Sequence, residues 1–244
     1  MLELSAQRVL NIWEQGALLS AEGKSQALLS LISPELSTQA LTDLVLGERN
    51  KNLLELRQQL FGSKLQAYIE CGKCGEALDL EFSIEDFGFS SIAHIPETHS
   101  VLIDNICADI RLPNGHDLTA LTNVKNVEDG RQLLFSRCVL KLQRNDVPMT
   151  LDELNDVELN QLEEAVAALD PRMEILFDLS CPECSHNWQS PLDIGSFIWR
   201  EFDVYALQLL ENIHLLASTY GWSEADILAM SQVRRNHYIE RLLQ

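Results

Sequence analysis

Apolar residues recur at helical steps from Leu2 to Leu65, and this stretch predicts three or four short helices. Ser33-Pro34 reads as a cap followed by proline at a first helical position, and Gly47 and Gly62 read as terminators. Around Leu53, Leu54, Leu56, Leu60 and Phe61 the apolar residues form one face, with Arg49, Lys51 and Arg57 beside it, as in a packed amphipathic helix. Near Tyr68 the period shortens to two. Ile69, then Leu78, Leu80 and Phe82, predict a β-hairpin whose turn is Cys71-Gly-Lys-Cys74-Gly. Val101, Ile103, Ile106, Ile110 and Leu112 predict strands that end at Pro113-Asn114-Gly115. Helices are expected over 117–121 and 127–142. Thr150 and Glu153 have the spacing of a capping box, from which a helix, with or without a break, should run to Pro171. Seven acidic and no basic residues lie between Leu151 and Asp170, which suits a solvated helix face or a docking surface.

The hairpin pattern then returns in Leu179, Cys181-Pro-Glu-Cys184, Trp188, Ile194 and Phe197. With Cys71 set on Cys181, Ile69 falls on Leu179, Leu78 on Trp188, Ile84 on Ile194 and Phe87 on Phe197, so one thiol hairpin occurs twice. After it, Phe202, Ala206, Leu209, Ile213, Leu216 and Tyr220 predict a long amphipathic helix ending at Gly221, followed by two short helices from Ser223 and Ser231. The fold class expected is α+β: mainly helical, with a split four-cysteine ribbon built from two β-hairpins and a small inserted α/β segment. The expected regions are N-terminal helices over 1–66, a ribbon core over 67–199 with hairpins 67–90 and 176–197 and an insertion 91–175, and C-terminal helices over 200–244.

A chain of 244 residues, 46% of them hydrophobic, can bury a sizeable core. The first ten residues lack the pattern of a secretory signal, and no apolar run approaches the roughly 18 residues of a membrane span. A cytoplasmic protein is therefore expected. A net charge of −19 opposes binding that neutralises phosphates, and also opposes anionic membranes. The acidity serves solubility, or complements a basic protein partner.

In a reducing compartment six cysteines are poor material for disulfides. A two-residue gap in a tight turn aims two sulfurs at one point, and two such turns complete a tetrahedral site. Cys71, Cys74, Cys181 and Cys184 are accordingly the expected ligands of one structural zinc ion, Zn2+. A redox Cys-x-x-Cys is the rival, although one motif would suffice and neither opens a helix in a βαβ pattern. Cys107 and Cys138 read as small buried hydrophobes, and His186 as a surface histidine. Four thiolates leave no position for an activated water, and no phosphate loop, nucleophile elbow, zinc-protease helix or dinucleotide fingerprint occurs. The expectation is a protein that is not an enzyme. Trp222, Arg234, Arg235 and Tyr238, in an otherwise acidic chain, are candidate partner-binding residues, because aromatics and arginines often dominate interfaces. The alternative is that the apolar stripe packs on the zinc core and the arginines offset a helix dipole.

The ordered series Gly47-Glu-Arg-Asn50, Leu53-Leu54-x-Leu56-Arg57-x-x-Leu60-Phe61-Gly62, the first thiol turn, Ile110-Arg-Leu-Pro113-x-Gly115-x-Asp117-Leu118 and Cys138 continues through Ala168-Leu-Asp170-Pro171, the second thiol turn, Trp188, Asp193-Ile194, Trp199-x-Glu201 and His214-Leu-Leu-Ala217-x-x-Tyr220-Gly-Trp222-Ser-Glu224. This series resembles zinc-ribbon baseplate-associated proteins of contractile phage tails and phage-tail-like injection systems. It is similar to the baseplate hub assembly chaperones of T-even-type phages. The resemblance covers about residues 47–242. It implies a non-enzymatic role in building the baseplate hub and spike through contacts with hub, spike or tube proteins, in the bacterial cytoplasm or retained in the particle. The competing reading is a cytoplasmic zinc-ribbon adaptor in transcription or nucleic-acid transactions. Against it, Lys73 is almost alone among Glu70, Glu76, Asp79, Glu183 and Asp193.

Overall fold

A serine side chain accepts a free backbone amide at the start of each of the first three helices: Ser5 before α1 (Ala6–Gly16), Ser20 before α2 (Ala21–Ile32) and Ser37 before α3 (Thr38–Asp43). Ser33-Pro34 is not a helix start. Ser33 closes α2 with its amide on the Leu29 carbonyl, and the chain becomes helical again only where Ser37 supplies a cap. The computed structural model describes residues 5–87, 96 and 98–242. Residues 88–90 of the expected first hairpin and the start of the expected insertion lie outside the described residues.

Two units form by contact. One comprises the described residues up to Pro34 together with those from Ile194 onward, and the other comprises Glu35–Asp193. The expected N-terminal helical region is thus divided, with α1 and α2 grouped with the C-terminal helices. Mixed helices and small antiparallel sheets make the chain α+β, as its periodicities indicate.

In the first unit α8 (Ile194–Tyr220) packs against α1, α2, α9 (Glu224–Leu228) and α10 (Gln232–Leu242). Its stripe Phe202, Ala206, Leu209, Ile213 and Leu216 is buried. Trp13 donates to Asp203 at 2.6 Å, and the Trp199 ring fills the space beside Gly16. The helix begins at Ile194, earlier than the apolar stripe suggested, so Ile194 and Phe197 are helical and not part of a hairpin.

The second unit begins with α3 and α4 (Leu46–Phe61). Gly62 ends α4 with φ +85°, but Gly47 is a helical residue and not a terminator. Arg49 and Arg57 are buried with the leucines rather than flanking them in solvent, and Arg57 donates to the Gly62 carbonyl beyond the helix end. Two hairpins follow the repeat: β1 (Lys64–Glu70) with β2 (Ala77–Ser83), and β7 (Leu176–Ser180) with β8 (Asn187–Pro191). Ile69 pairs with Leu78, and Leu179 with Trp188, so the residues that the repeat superposes share one cross-strand register. Ile84–Phe87 forms a 3-10 turn, the counterpart of the first turn of α8.

Between the hairpins lies an antiparallel sheet of β3 (Thr98–Ile103), β4 (Ile106–Arg111), β5 (Val139–Arg144) and β6 (Val147–Pro148), in that order, with α5 (Gly115–Leu121), α6 (Val127–Cys138) and α7 (Asp156–Leu169). The helix expected over 127–142 stops at Cys138, because Val139–Arg144 pairs with β4 and tertiary pairing overrides local propensity. The Thr150–Glu153 box forms but holds only a 3-10 turn. Asn155, with its own box to Glu158, starts α7. Ile106, Ala108, Ile110, Phe135, Cys138, Leu142 and Leu162 make the core of this region.

Two buried polar nodes tie distant segments together. Asp117, fully buried, accepts two bonds from Arg111 (2.7 and 2.8 Å), one from Arg137 (2.6 Å) and one from the Asn114 amide (2.9 Å). Arg172 binds Asp170 at 2.7 and 3.1 Å and Glu48 at 3.4 Å, while Asn50 donates to the Arg172 and Met173 carbonyls across more than a hundred residues. Gly47 lies against this node. A Cβ there would meet the Asp170 carboxylate oxygen at 1.9 Å. Gly47→Ala should therefore displace a buried carboxylate and cost about 2 kcal/mol or more, read as a lower denaturant midpoint with unchanged slope. A midpoint within error of the wild type would show that the node yields freely.

Candidate metal centre

The two thiol turns have the same local geometry. The Cys71 amide donates to the Glu76 carbonyl at 2.8 Å and the Gly75 amide returns to the Cys71 carbonyl at 2.8 Å; the Cys181 amide to His186 and the Ser185 amide to Cys181 repeat both bonds at 2.9 Å. Gly75 has φ +75° and Ser185 φ +55°, so the serine holds the left-handed conformation that glycine adopts without penalty. The first cysteine of each turn is buried, whereas Cys74 is exposed and Cys184 half-buried.

The hairpins present these turns to each other crosswise. The Cys71 and Cys184 sulfurs are 3.7 Å apart, those of Cys74 and Cys181 3.5 Å, and all four lie within 4.8 Å of one another. Thiolates about 2.3 Å from a tetrahedral ion are separated by about 3.8 Å, whereas a disulfide needs about 2.05 Å. The spacing suits ligands of one ion. Phe82, Phe87 and Phe177 supply a second link between the hairpins, with ring centroids 4.7 to 6.0 Å apart.

The thiols do not ionise alike. Burial works against a charged Cys71, but the Lys73 and Cys74 amides, helped by the neighbouring thiols, lower it to about 7. For Cys74 the Glu76 amide favours the thiolate, yet Cys184, burial, Cys181 and Cys71 together push it up to about 12. Four thiolates this close need a cation between them. The remaining cysteines stand apart. Cys138 is buried beside Asp117, where burial above all and then the carboxylate raise it to about 11, and Cys107 lies half-buried on β4. His186 stacks on Trp188 at 5.5 Å, outside the sulfur cluster.

The sequence model of one protein family, described as T4 bacteriophage base plate protein, matches residues 8–199. The chain belongs to the T4 bacteriophage base plate protein family. No curated protein and no solved structure is a significant match. The match to the base plate family contains all four thiols and both polar nodes. The role that follows from it is structural or in assembly, among other baseplate components, and the family is typically non-enzymatic. No helix among the described residues is long and apolar enough to cross a membrane.

The candidate partner residues Trp222, Arg234, Arg235 and Tyr238 fall beyond the part that matches the base plate family. Tyr220, Trp222 and Tyr238 form an aromatic cluster, with Tyr220 stacked on Trp222 at 4.5 Å and Tyr238 edge-on to Trp222 at 4.9 Å. Arg234 lies over Tyr238, 5.9 Å from its centroid. Arg235 differs from the expectation. It is 3% exposed, donates to the Met230 carbonyl at 3.4 Å, and its burial lowers its pKa, so its guanidinium is turned inward and not offered at the surface. Its neighbour Arg234 gave the same signal in sequence, since one residue of rotation decides which of two adjacent helical arginines faces inward.

Proposed function

We propose that the chain is a non-enzymatic, zinc-binding assembly or structural protein of a contractile phage-tail-like particle, acting on the baseplate hub or spike through protein contacts. The observation that supports zinc most directly is the set of four sulfurs within 4.8 Å of one another on two matching turns. The family match over residues 8–199 supports the baseplate. Zinc here is structural: four thiolates fill its coordination sphere and clamp hairpins whose thiol turns lie more than a hundred residues apart. Trp222, Tyr238 and Arg234 are proposed as one contact for a hub, spike or tube protein, with Arg235 supporting them from within.

Co-expression of the full chain with the hub, spike and tube proteins of its own particle tests this. At least one should co-purify with the zinc-loaded chain, and Trp222→Ala combined with Arg234→Ala should lower its recovery severalfold. Failure of every one to co-purify would overturn the assembly role. Unchanged recovery by the double variant would remove the C-terminal contact alone.

A further inference from the structure

The second unit contains a largely apolar groove of about 460 Å³ between α6 and α7, among whose lining residues are Leu46, Leu134, Phe135, Val166, Ala167 and Met173. Grooves of a few hundred Å³ are large enough to take several apolar side chains. A small-molecule site normally also offers a few polar groups free to orient the ligand. The arginine at this groove is already engaged: Arg131 binds Glu163 at 2.8 Å and Asn160 at 2.5 Å. Asp170, also in the lining, is held by Arg172.

Acidic side chains outnumber basic ones around the groove, whose lining carries Glu163, Asp170 and Glu174 beside the single Arg131. Glu174 stands at its edge, and α7 carries Asp156, Glu158, Glu163 and Glu164 with no basic residue. Between Glu35 and Asp193 the sequence has 12 basic against 28 acidic side chains, so this unit holds most of the net negative charge. Such a field draws a cationic partner toward an apolar patch and repels an anionic one. All lining residues fall within the 8–199 span shared with the base plate family, unlike the aromatic cluster of the C-terminal helices.

The geometry points to this groove as the docking site for an apolar segment flanked by lysine or arginine, presented by another baseplate component. The inference rests on the baseplate assembly role. The flanking cations meet Glu174 and the acidic side of α7, and the apolar residues enter between Leu134 and Val166. A second copy of this chain fits less well, because its own second unit is equally acidic.

A photo-crosslinking amino acid at position 167, in the full zinc-loaded chain co-expressed with its hub, spike and tube proteins, tests the occupant. Ala167 is exposed on α7, so the substitution is compatible with folding. The expected crosslink is to a peptide with at least two large apolar residues and a lysine or arginine within four positions of them. Ala167→Trp, which fills the groove, should reduce recovery of that component at least tenfold with zinc content unchanged, and Glu174→Lys should reduce it most at low salt. A crosslink to a second copy of this chain, to an acidic segment, or to nothing would overturn the inference, as would full recovery by both variants. The assembly role survives those outcomes if the wild type still co-purifies with a baseplate component. If it does not, both fall together.

Discussion

Stripping zinc from the purified chain, or replacing Cys71 or Cys181 with serine, is expected to unfold the two thiol hairpins. The wild type should hold one zinc per chain by elemental analysis, and either serine variant close to none. The reasoning is energetic. A structural zinc site supplies on the order of 10 kcal/mol, and a whole domain has a net stability of only about 5–15 kcal/mol. Cys71 and Cys181 are the buried members of their turns, so a serine at either leaves three close thiols around a site built for four. Outside the thiols, the aromatic cluster of Phe82, Phe87 and Phe177 also links these hairpins, and it is too small to replace the ion. Hydrogen exchange should show protection lost first in β1, β2, β7 and β8. Cys107→Ala and Cys138→Ala should keep the metal. A metal-free wild type with protected hairpins would refute the zinc clamp.

Asp117→Asn is expected to cost about 3–5 kcal/mol, the cost of breaking a buried ion pair from one side. The variant leaves two guanidinium groups facing a neutral amide, one of whose ends donates where Arg111 and Arg137 also donate. Burial by itself would raise the Asp117 pKa, but Arg111, the Asn114 amide and Arg137 outweigh it and hold the group at about 2, below its ordinary 3.8. A depressed folded-state pKa lends stability that is complete above the unfolded value and lost as pH falls through the folded one. The wild type should therefore lose about 2 kcal/mol on acidification from pH 4 to below 2 through this group, and Asp117→Asn should lack that component. Denaturant titrations across that range measure both. An Asn variant as stable as the wild type at pH 7 would show that the node is not a structural lock.

The two predictions differ in how far they were readable along the chain. The four clustered cysteines proposed as zinc ligands follow from local spacing: each Cys-x-x-Cys turn is a property of about six residues, and the second copy marks the first as half of a candidate site. Asp117 was visible only as part of a motif. Its burial depends on Arg111 and Arg137 arriving from β4 and α6, and nothing in the period of either element marks them as partners.

The thiol repeat, the alternation of its strands, the apolar stripe of α8 and the helix starts at Val127, after Ser223 and after Ser231 were legible in the sequence alone, because caps, periodicity and tight turns act over a handful of neighbouring residues. Errors arose where a distant contact outweighed a local preference. Val139–Arg144 left its helix to pair with β4, and Gly47 is glycine because Asp170 occupies the place of its side chain, not because a helix ends there. Arg235 turned inward beside an exposed Arg234. The grouping of α1 and α2 with α8, and the groove between α6 and α7, were likewise decided by tertiary structure. Each depends on surfaces meeting across tens to hundreds of residues, and periodicity shows that a face is apolar without showing what will cover it.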